Sequence, residues 1–193
     1  DGLFLQGEVS DGLFIVLRGR VKLVRSASNG AAAIIEISGA GDELTAFSCI
    51  ENRPYSSSAK ALTDGSVFRI PGEHFRAMSQ EIPALGANIL RILGARYHDL
   101  LDNFTSLAAY KVEGRLCIVM SQLARRYGIL GDTRGVILDL ALTRQDLADI
   151  AGTTLETTIR TLNRLRQGGL LTWEGKRFFI PDLSALDNLA IAS

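Results

Sequence analysis

The spacing of apolar positions changes twice along the chain. From residue 1 to about 72 the apolar residues come in short runs, as in "LFIVLRGRVKLV", where Arg18-Gly19-Arg20 interrupts two stretches. Ser28-Asn29-Gly30 is a strong hairpin-turn signal. "AAIIEI", "SSAKAL" and "SVFRI" follow, divided by Gly39-Ala40-Gly41-Asp42 and Thr63-Asp64-Gly65. Many short strands with Gly-rich turns predict an antiparallel sandwich or small barrel. Pro71 closes the last strand, and "GEHFRAM" begins a short helix.

From residue 80 to about 108 the period becomes helical. Ile82, Leu85, Ile89, Ile92, Leu93, Leu100, Phe104 and Leu107 line one stripe. At 1.5 Å per residue such a helix extends about 40 Å, more than a small domain spans. Part of the stripe is therefore expected to bury against a second copy of the chain, through Ile89, Leu93, Leu100, Phe104 and Leu107. The third zone starts with "GRLCIVMSQLARRYG", a helix stopped by Gly128, and a strand region, "GVILDLAL". Two short helices lie within "TRQDLADIAGTTLETTIRTLNRL", residues 143 to 165. "LLTWEGKRFFIP" then reads as two strands around Glu174-Gly175-Lys176, and "DLSALDNLAIAS" as a last helix.

The paired helices carry the most specific signal. Thr143-x-x-Asp146 and Thr153-x-x-Glu156 both match the capping pattern, with Gly152 between them where a turn needs positive φ. Small Ala148 allows close approach, and Leu147, Ala151, Leu155, Leu162 and Leu165 are the expected buried face. This is the pattern of a helix-turn-helix, winged by the hairpin at 170 to 181. Glu156 and Arg160, four apart, share one helix face. Arg reads guanine and Glu accepts from cytosine, each good contact being worth roughly 1–3 kcal/mol of discrimination. Thr153, Thr154 and Thr157 suit phosphate oxygens, and Ile159 a thymine methyl. Thr143, Arg144 and Gln145 on the first helix, with Lys176 and Arg177 on the wing, complete the expected DNA-facing set. An isolated Glu–Arg pair would be a solvated ion pair worth a few tenths of a kcal/mol. Two capped helices, a central glycine and a following hairpin favour DNA.

Composition changes this picture little. A length of 193 residues allows one large domain or two small ones. No apolar run approaches the roughly 20 residues needed to cross a bilayer. Cys49 and Cys117 form neither a zinc spacing nor a disulfide framework, so a reducing cytoplasm is the default expectation. The chain opens in mid-pattern, without Met or a signal sequence, as expected of one lacking an N-terminal segment. Its 21 basic and 21 acidic residues cancel, which on its face argues against nucleic acid. From Leu155 to Gly168, however, three arginines face one glutamate, a local basic excess. No nucleophile stands with a base: Ser56-Ser57-Ser58 has no visible His or Asp companion, so an enzyme is not expected.

Taken with "GLFIVLRGRVKLV", "GAGDE" and "VEGRLCIVMSQLA", the stretch "LTRQDLADIAGTTLETTIRTLNRLRQGGLL" resembles the CRP/FNR family of bacterial transcription regulators. The resemblance implies an α+β fold: a jelly-roll-type β-roll effector domain over 1–78, a dimerisation helix over 79–110, and a winged helix-turn-helix over 111–193. It also implies a homodimer on a pseudo-palindromic operator, RNA polymerase as a further partner, and no membrane association. The residue before the reading Glu is Leu155, closer to the aliphatic residue of the fumarate–nitrate branch than to the Arg of cyclic-AMP receptor proteins. The family's usual Glu-Thr-Val-x-Arg becomes Glu156-Thr157-Thr158-Ile159-Arg160, so Thr158 brings a hydroxyl where a valine packs.

Cyclic-nucleotide-binding members hold ribose with Gly-Glu and phosphate with Arg-Ser. In "GDELTAFSCIENRPYSSSAKAL" those positions are Thr45-Ala46 and Ser56-Ser57, so the carboxylate and the guanidinium are both gone. A phosphate buried without a cation is strongly disfavoured; Arg53 and Lys60 lie off the motif. The Thr-Ser pair that meets adenine aligns near Leu100-Leu101. Cyclic AMP is therefore not the expected effector, whose identity stays open. Neither an iron–sulfur nor a haem ligand set is evident, since His74, His98 and the two cysteines are scattered.

Overall fold

The strand patterns fold as their alternation predicts. The computed structural model describes residues 1–131 and 135–192. Contacts divide it into two units, 1–100 and 101–193. In the first unit the chain runs through β1 (Gly2–Phe4), β2 (Gly12–Arg18), β3 (Val21–Ser26), β4 (Ala32–Ser38), α1 (Ala46–Glu51), β5 (Ser58–Ala61), β6 (Ser66–Pro71) and α2 (Gly72–Glu81). The long helix α3 (Pro83–Ala109) follows and continues into the second unit.

Two antiparallel sheets, in the order β1-β5-β3-β4 and β2-β6, enclose Phe4, Phe14, Val16, Val21, Leu23, Leu44, Tyr55 and Ala59. Burial of such side chains, at roughly 25 cal/mol per Å² of apolar surface, holds the roll together. The hairpin between β3 and β4 turns at Asn29-Gly30, with the Asn29 side chain accepting from the Ala31 amide at 3.0 Å. A second cluster of Leu13, Ala46, Cys49, Phe75 and Ile89 seats α1, α2 and the start of α3 on β2.

Two expectations change here. Helix α1 was not visible in the sequence, because its N-cap, Thr45, makes no side-chain cap. Instead the Thr45 hydroxyl bridges β2, donating to the Gly12 carbonyl at 2.9 Å and accepting from the Phe14 amide at 3.1 Å. The long helix starts at Pro83, which suits a first helical position, and Ile82 caps α2 instead. Its apolar stripe is also divided. Ile89 is 7% exposed and packs on its own β-roll instead of facing outward, with the half-buried Leu93 at the margin. Leu100, Phe104 and Leu107 remain more than half exposed.

The second unit continues through α4 (Val112–Tyr127), β7 (Ile129–Leu130), β8 (Val136–Asp139), α5 (Arg144–Ala151), α6 (Leu155–Gln167), β9 (Thr172–Glu174), β10 (Arg177–Ile180) and α7 (Leu183–Ala192). Helix α4 packs on α5, α6 and α7, and the sheet order is β7-β8-β10-β9. Gly128 closes α4 with its N–H on the Ala124 carbonyl, where a Cβ would stand 2.2 Å from Val136 and 2.3 Å from that carbonyl. No described helix is long and apolar enough to cross a membrane.

Candidate nucleic-acid interface

The first helix of the pair starts from a reciprocal cap. Thr143 Oγ1 accepts from the Asp146 amide at 3.0 Å, while Asp146 Oδ2 accepts from the Thr143 amide at 2.9 Å and its hydroxyl at 2.7 Å. Helix α5 ends at Gly152, with φ +61° and its N–H on the Ala148 carbonyl. A side chain there would be strained, and its Cβ would meet Leu107 at 2.7 Å. From α4 the Arg115 guanidinium donates to the Ala151 and Gly152 carbonyls at 2.9 and 3.2 Å.

The second cap lies one residue later than the sequence pattern suggested. Thr153 belongs to the turn, its N–H donating to the Ala148 carbonyl at 3.0 Å. Thr154 is the N-cap of α6, its Oγ1 accepting from the Thr157 amide at 3.2 Å and donating to Thr157 Oγ1 at 3.0 Å. Glu156 is thereby released from capping and stands exposed. Thr158, Thr161, Leu162 and Leu165 form the buried face. Leu155, expected among them, is 40% exposed, because the first helical position after Thr154 points off that face.

The outward surface of α6 thus carries Leu155, Glu156, Ile159 and Arg160 together. Asn163, exposed and three residues beyond Arg160, continues the same line. Its helical spacing from Arg160 is legible in the sequence, although it carries no charge to mark it. A positive helix N-terminus, short hydroxyls and one exposed guanidinium suit a polyanion whose base edges are to be read.

The expected cations separate into three situations. Lys176 is exposed at the turn of the β9–β10 hairpin. Arg177 is engaged by Asp139, directly across the ladder, with Nε and Nη2 at 3.0 and 2.8 Å from one carboxylate oxygen. That hydrogen bond, then the charge itself, raises the Arg177 pKa. Arg144 turns inward: its guanidinium lies 4.5 Å from the Phe178 ring centre and 4.9 Å from that of Trp173. Burial lowers its pKa. Gln145 Nε2 donates to Asp149 Oδ1 at 2.7 Å on its own helix.

The expected effector residues sit in different environments. Thr45 is buried with its hydroxyl committed to β2, and Ala46 packs beside Cys49. Ser57 is buried and Ser56 exposed, while Leu100 and Leu101 are exposed on α3. Arg53 is exposed and 3.6 Å from Glu51; Lys60 is exposed on β5. The buried polar contact of this region is one the sequence did not announce. Arg96 of α3 pairs with Glu36 at 3.2 Å and Glu43 at 2.6 Å, and donates to the Glu43 carbonyl. Cys49 is fully buried, and burial pushes its thiol up. No cluster of three or more His, Cys, Asp or Glu fit to hold a metal occurs among the described residues.

A β-roll followed by a winged helix-turn-helix defines a class: DNA-binding transcription regulators with a cyclic-nucleotide-binding-type sensor domain. Residues 1–81 match the family model for a cyclic nucleotide-binding domain, and residues 114–189 that for a Crp-like helix-turn-helix domain. The CRP-like cAMP-activated global transcriptional regulator of Mycobacterium tuberculosis is 29% identical over 185 residues, covering 95% of this chain and 82% of that protein. The anaerobic regulatory protein of Pasteurella multocida is 30% identical over 188 residues, covering 97% of this chain and 68% of its own. The structure of FixK2 from Bradyrhizobium japonicum shares the fold, with a TM-score of 0.86 at 21% identity, covering 98% and 92% of the two chains. The chain belongs to the CRP/FNR family of transcription regulators. The family is one of regulators, not of enzymes.

Proposed function

We propose that the chain acts as a cytoplasmic homodimer that reads a pseudo-palindromic operator through α6. The observation that carries this reading is the exposed line of Glu156, Arg160 and Asn163, flanked by Leu155 and Ile159, on a helix whose N-terminus is capped by Thr154. The exposed Leu100, Phe104 and Leu107 of α3 supply a face for a second copy. The division of labour is a β-roll sensor over 1–78, a dimerisation helix over 79–110 and a DNA-binding domain over 111–193. Two copies present their recognition helices about 34 Å apart, one turn of DNA. RNA polymerase is the natural further partner of such a regulator. Thr153 and Thr157 contact phosphates, while the Thr143 and Thr154 hydroxyls stay with their caps; Lys176 reaches the backbone from the wing.

The effector in this reading is not cyclic AMP, although one relative is named as cAMP-activated. Between Asp42 and Leu62 the only cations are Arg53 and Lys60, both exposed. The Arg96 guanidinium is already engaged by Glu36 and Glu43. A phosphate placed among these groups lacks a buried counter-charge.

Two measurements test the reading. Selection of bound duplexes should yield inverted half-sites, and Arg160→Ala should relax base choice at one position in each, at a cost of about 1–3 kcal/mol. Unchanged preference would remove Arg160 from the reading face. Calorimetric titration with cyclic AMP should give no heat and no thermal stabilisation; micromolar binding would overturn the effector assignment.

A further inference from the structure

The arginine that opens α5 stands where a phosphate contact is expected, yet it is turned into the protein. Its backbone is fixed by the Thr143–Asp146 cap immediately before it. Its guanidinium lies over Trp173 of β9 and Phe178 of β10, and its Nη2 reaches the Gly175 carbonyl at 3.5 Å. A second guanidinium, Arg166 from the last turn of α6, lies 4.9 Å from the same indole. One half-buried ring is thus shared by both helices of the reading motif and by the wing.

The chemistry of this contact is selective. A planar guanidinium stacks on an aromatic face and loses little hydration there, whereas an ammonium is a strongly hydrated point charge. Two cations beside one indole repel each other, so the arrangement persists only where the stacking and the Gly175 contact outweigh that repulsion. Lys176 follows Gly175 directly. A hold on the Gly175 carbonyl therefore steadies the peptide from which the Lys176 side chain springs.

We propose that Arg144 and Trp173 are positioning residues for the wing, holding Lys176 at the DNA backbone, and that Arg144 is not itself a phosphate ligand. This rests on the DNA-binding reading above and refines it, reassigning one residue of the expected contact set.

Trp173 is the sole tryptophan, so its emission reports the clamp even without DNA. The deciding variant is Arg144→Lys, which keeps the charge and removes the planar stack. In the free dimer it should raise acrylamide quenching of the indole and shift its emission. On a random-sequence duplex, its salt slope should fall by about 0.9, the share of one phosphate contact, and its affinity roughly fivefold at 0.15 M salt. Lys176→Ala should do the same, and combining the two should cost no more than Lys176→Ala alone. Trp173→Phe, which keeps an aromatic face, should preserve the slope that Trp173→Leu loses.

A wild-type slope and wild-type quenching in Arg144→Lys would overturn the proposal. So would losses that add in the double variant, as expected of two independent phosphate ligands. If the wild-type protein showed no salt-dependent affinity for DNA, the functional reading itself would fall. The quenching comparison would then still decide whether Arg144 holds the wing.

Discussion

Replacing Thr158 with valine should stabilise the DNA-binding unit. Thr158 has no exposed surface, and its Oγ1 finds no hydrogen-bond partner among the described residues. A buried hydroxyl without a partner costs about 1–3 kcal/mol. Valine has the same branched shape and a similar helix propensity, so the exchange removes that cost without opening a cavity. Even the low end, about 1 kcal/mol, should raise the melting temperature of a unit the size of residues 101–193 by about 4–8 °C. Trp173 lies in that unit and no other tryptophan competes, so a fluorescence melt isolates the transition. Thr158→Ser is the control: it keeps the hydroxyl, loses the methyl and should melt lower than wild type. Sequence preference on DNA should be unchanged in both, because the side chain faces away from the reading surface. If Thr158→Val melted lower than wild type while Thr158→Ser matched it, the hydroxyl would be contributing a bond, and the reasoning would be refuted.

Three further outcomes are expected. Arg96→Leu leaves Glu36 and Glu43, both largely buried, without their guanidinium and should cost the β-roll about 2–3 kcal/mol in urea denaturation; an unchanged midpoint would show that the pair is screened. Asp11 is held below the ordinary carboxylate value, first by the Tyr55 hydroxyl at 2.6 Å and then by Arg69. Because the folded value is the lower one, its contribution is complete above pH 3.8 and is lost as the pH falls through the folded value. Tyr55→Phe should flatten that acid limb of the stability profile, and an identical limb would discard Tyr55 as its cause. Burial above all, then the charges of Glu113 and Asp187, pushes Cys117 up to about 12, and burial also raises Cys49. Neither thiol should react with a thiol reagent at pH 8 until denaturant is added, which a labelling time course would show.

The parts of the fold legible in the sequence were those fixed by short-range chemistry. Thr143-x-x-Asp146 announced a cap because both partners lie within one turn, and the structure forms it from both sides. Gly152 announced the turn by its freedom at positive φ. The second cap slipped by one residue because two threonines are adjacent, and only the Thr153 amide's bond to Ala148 shows which of them closes the preceding helix. That slip carried Leu155 from the expected core to the outward face. The inward turn of Arg144 is not legible for a different reason. Its partners lie about 30 residues further along, and no local spacing reveals that two aromatic rings return beneath a helix start. Periodicity likewise marks Ile89 as buried without naming the β-roll residues that bury it.

The turn between α5 and α6 has a mechanical consequence. Its glycine stands at φ +61°, its N–H is bonded to Ala148, and the carbonyls of Ala151 and Gly152 accept from Arg115 of α4. A hinge motion at this joint would have to break those hydrogen bonds. A tilt of the recognition helix must carry α4 and α5 with it, as one lever. A displacement of α6 alone would have to break the Arg115 contacts that tie the turn to α4.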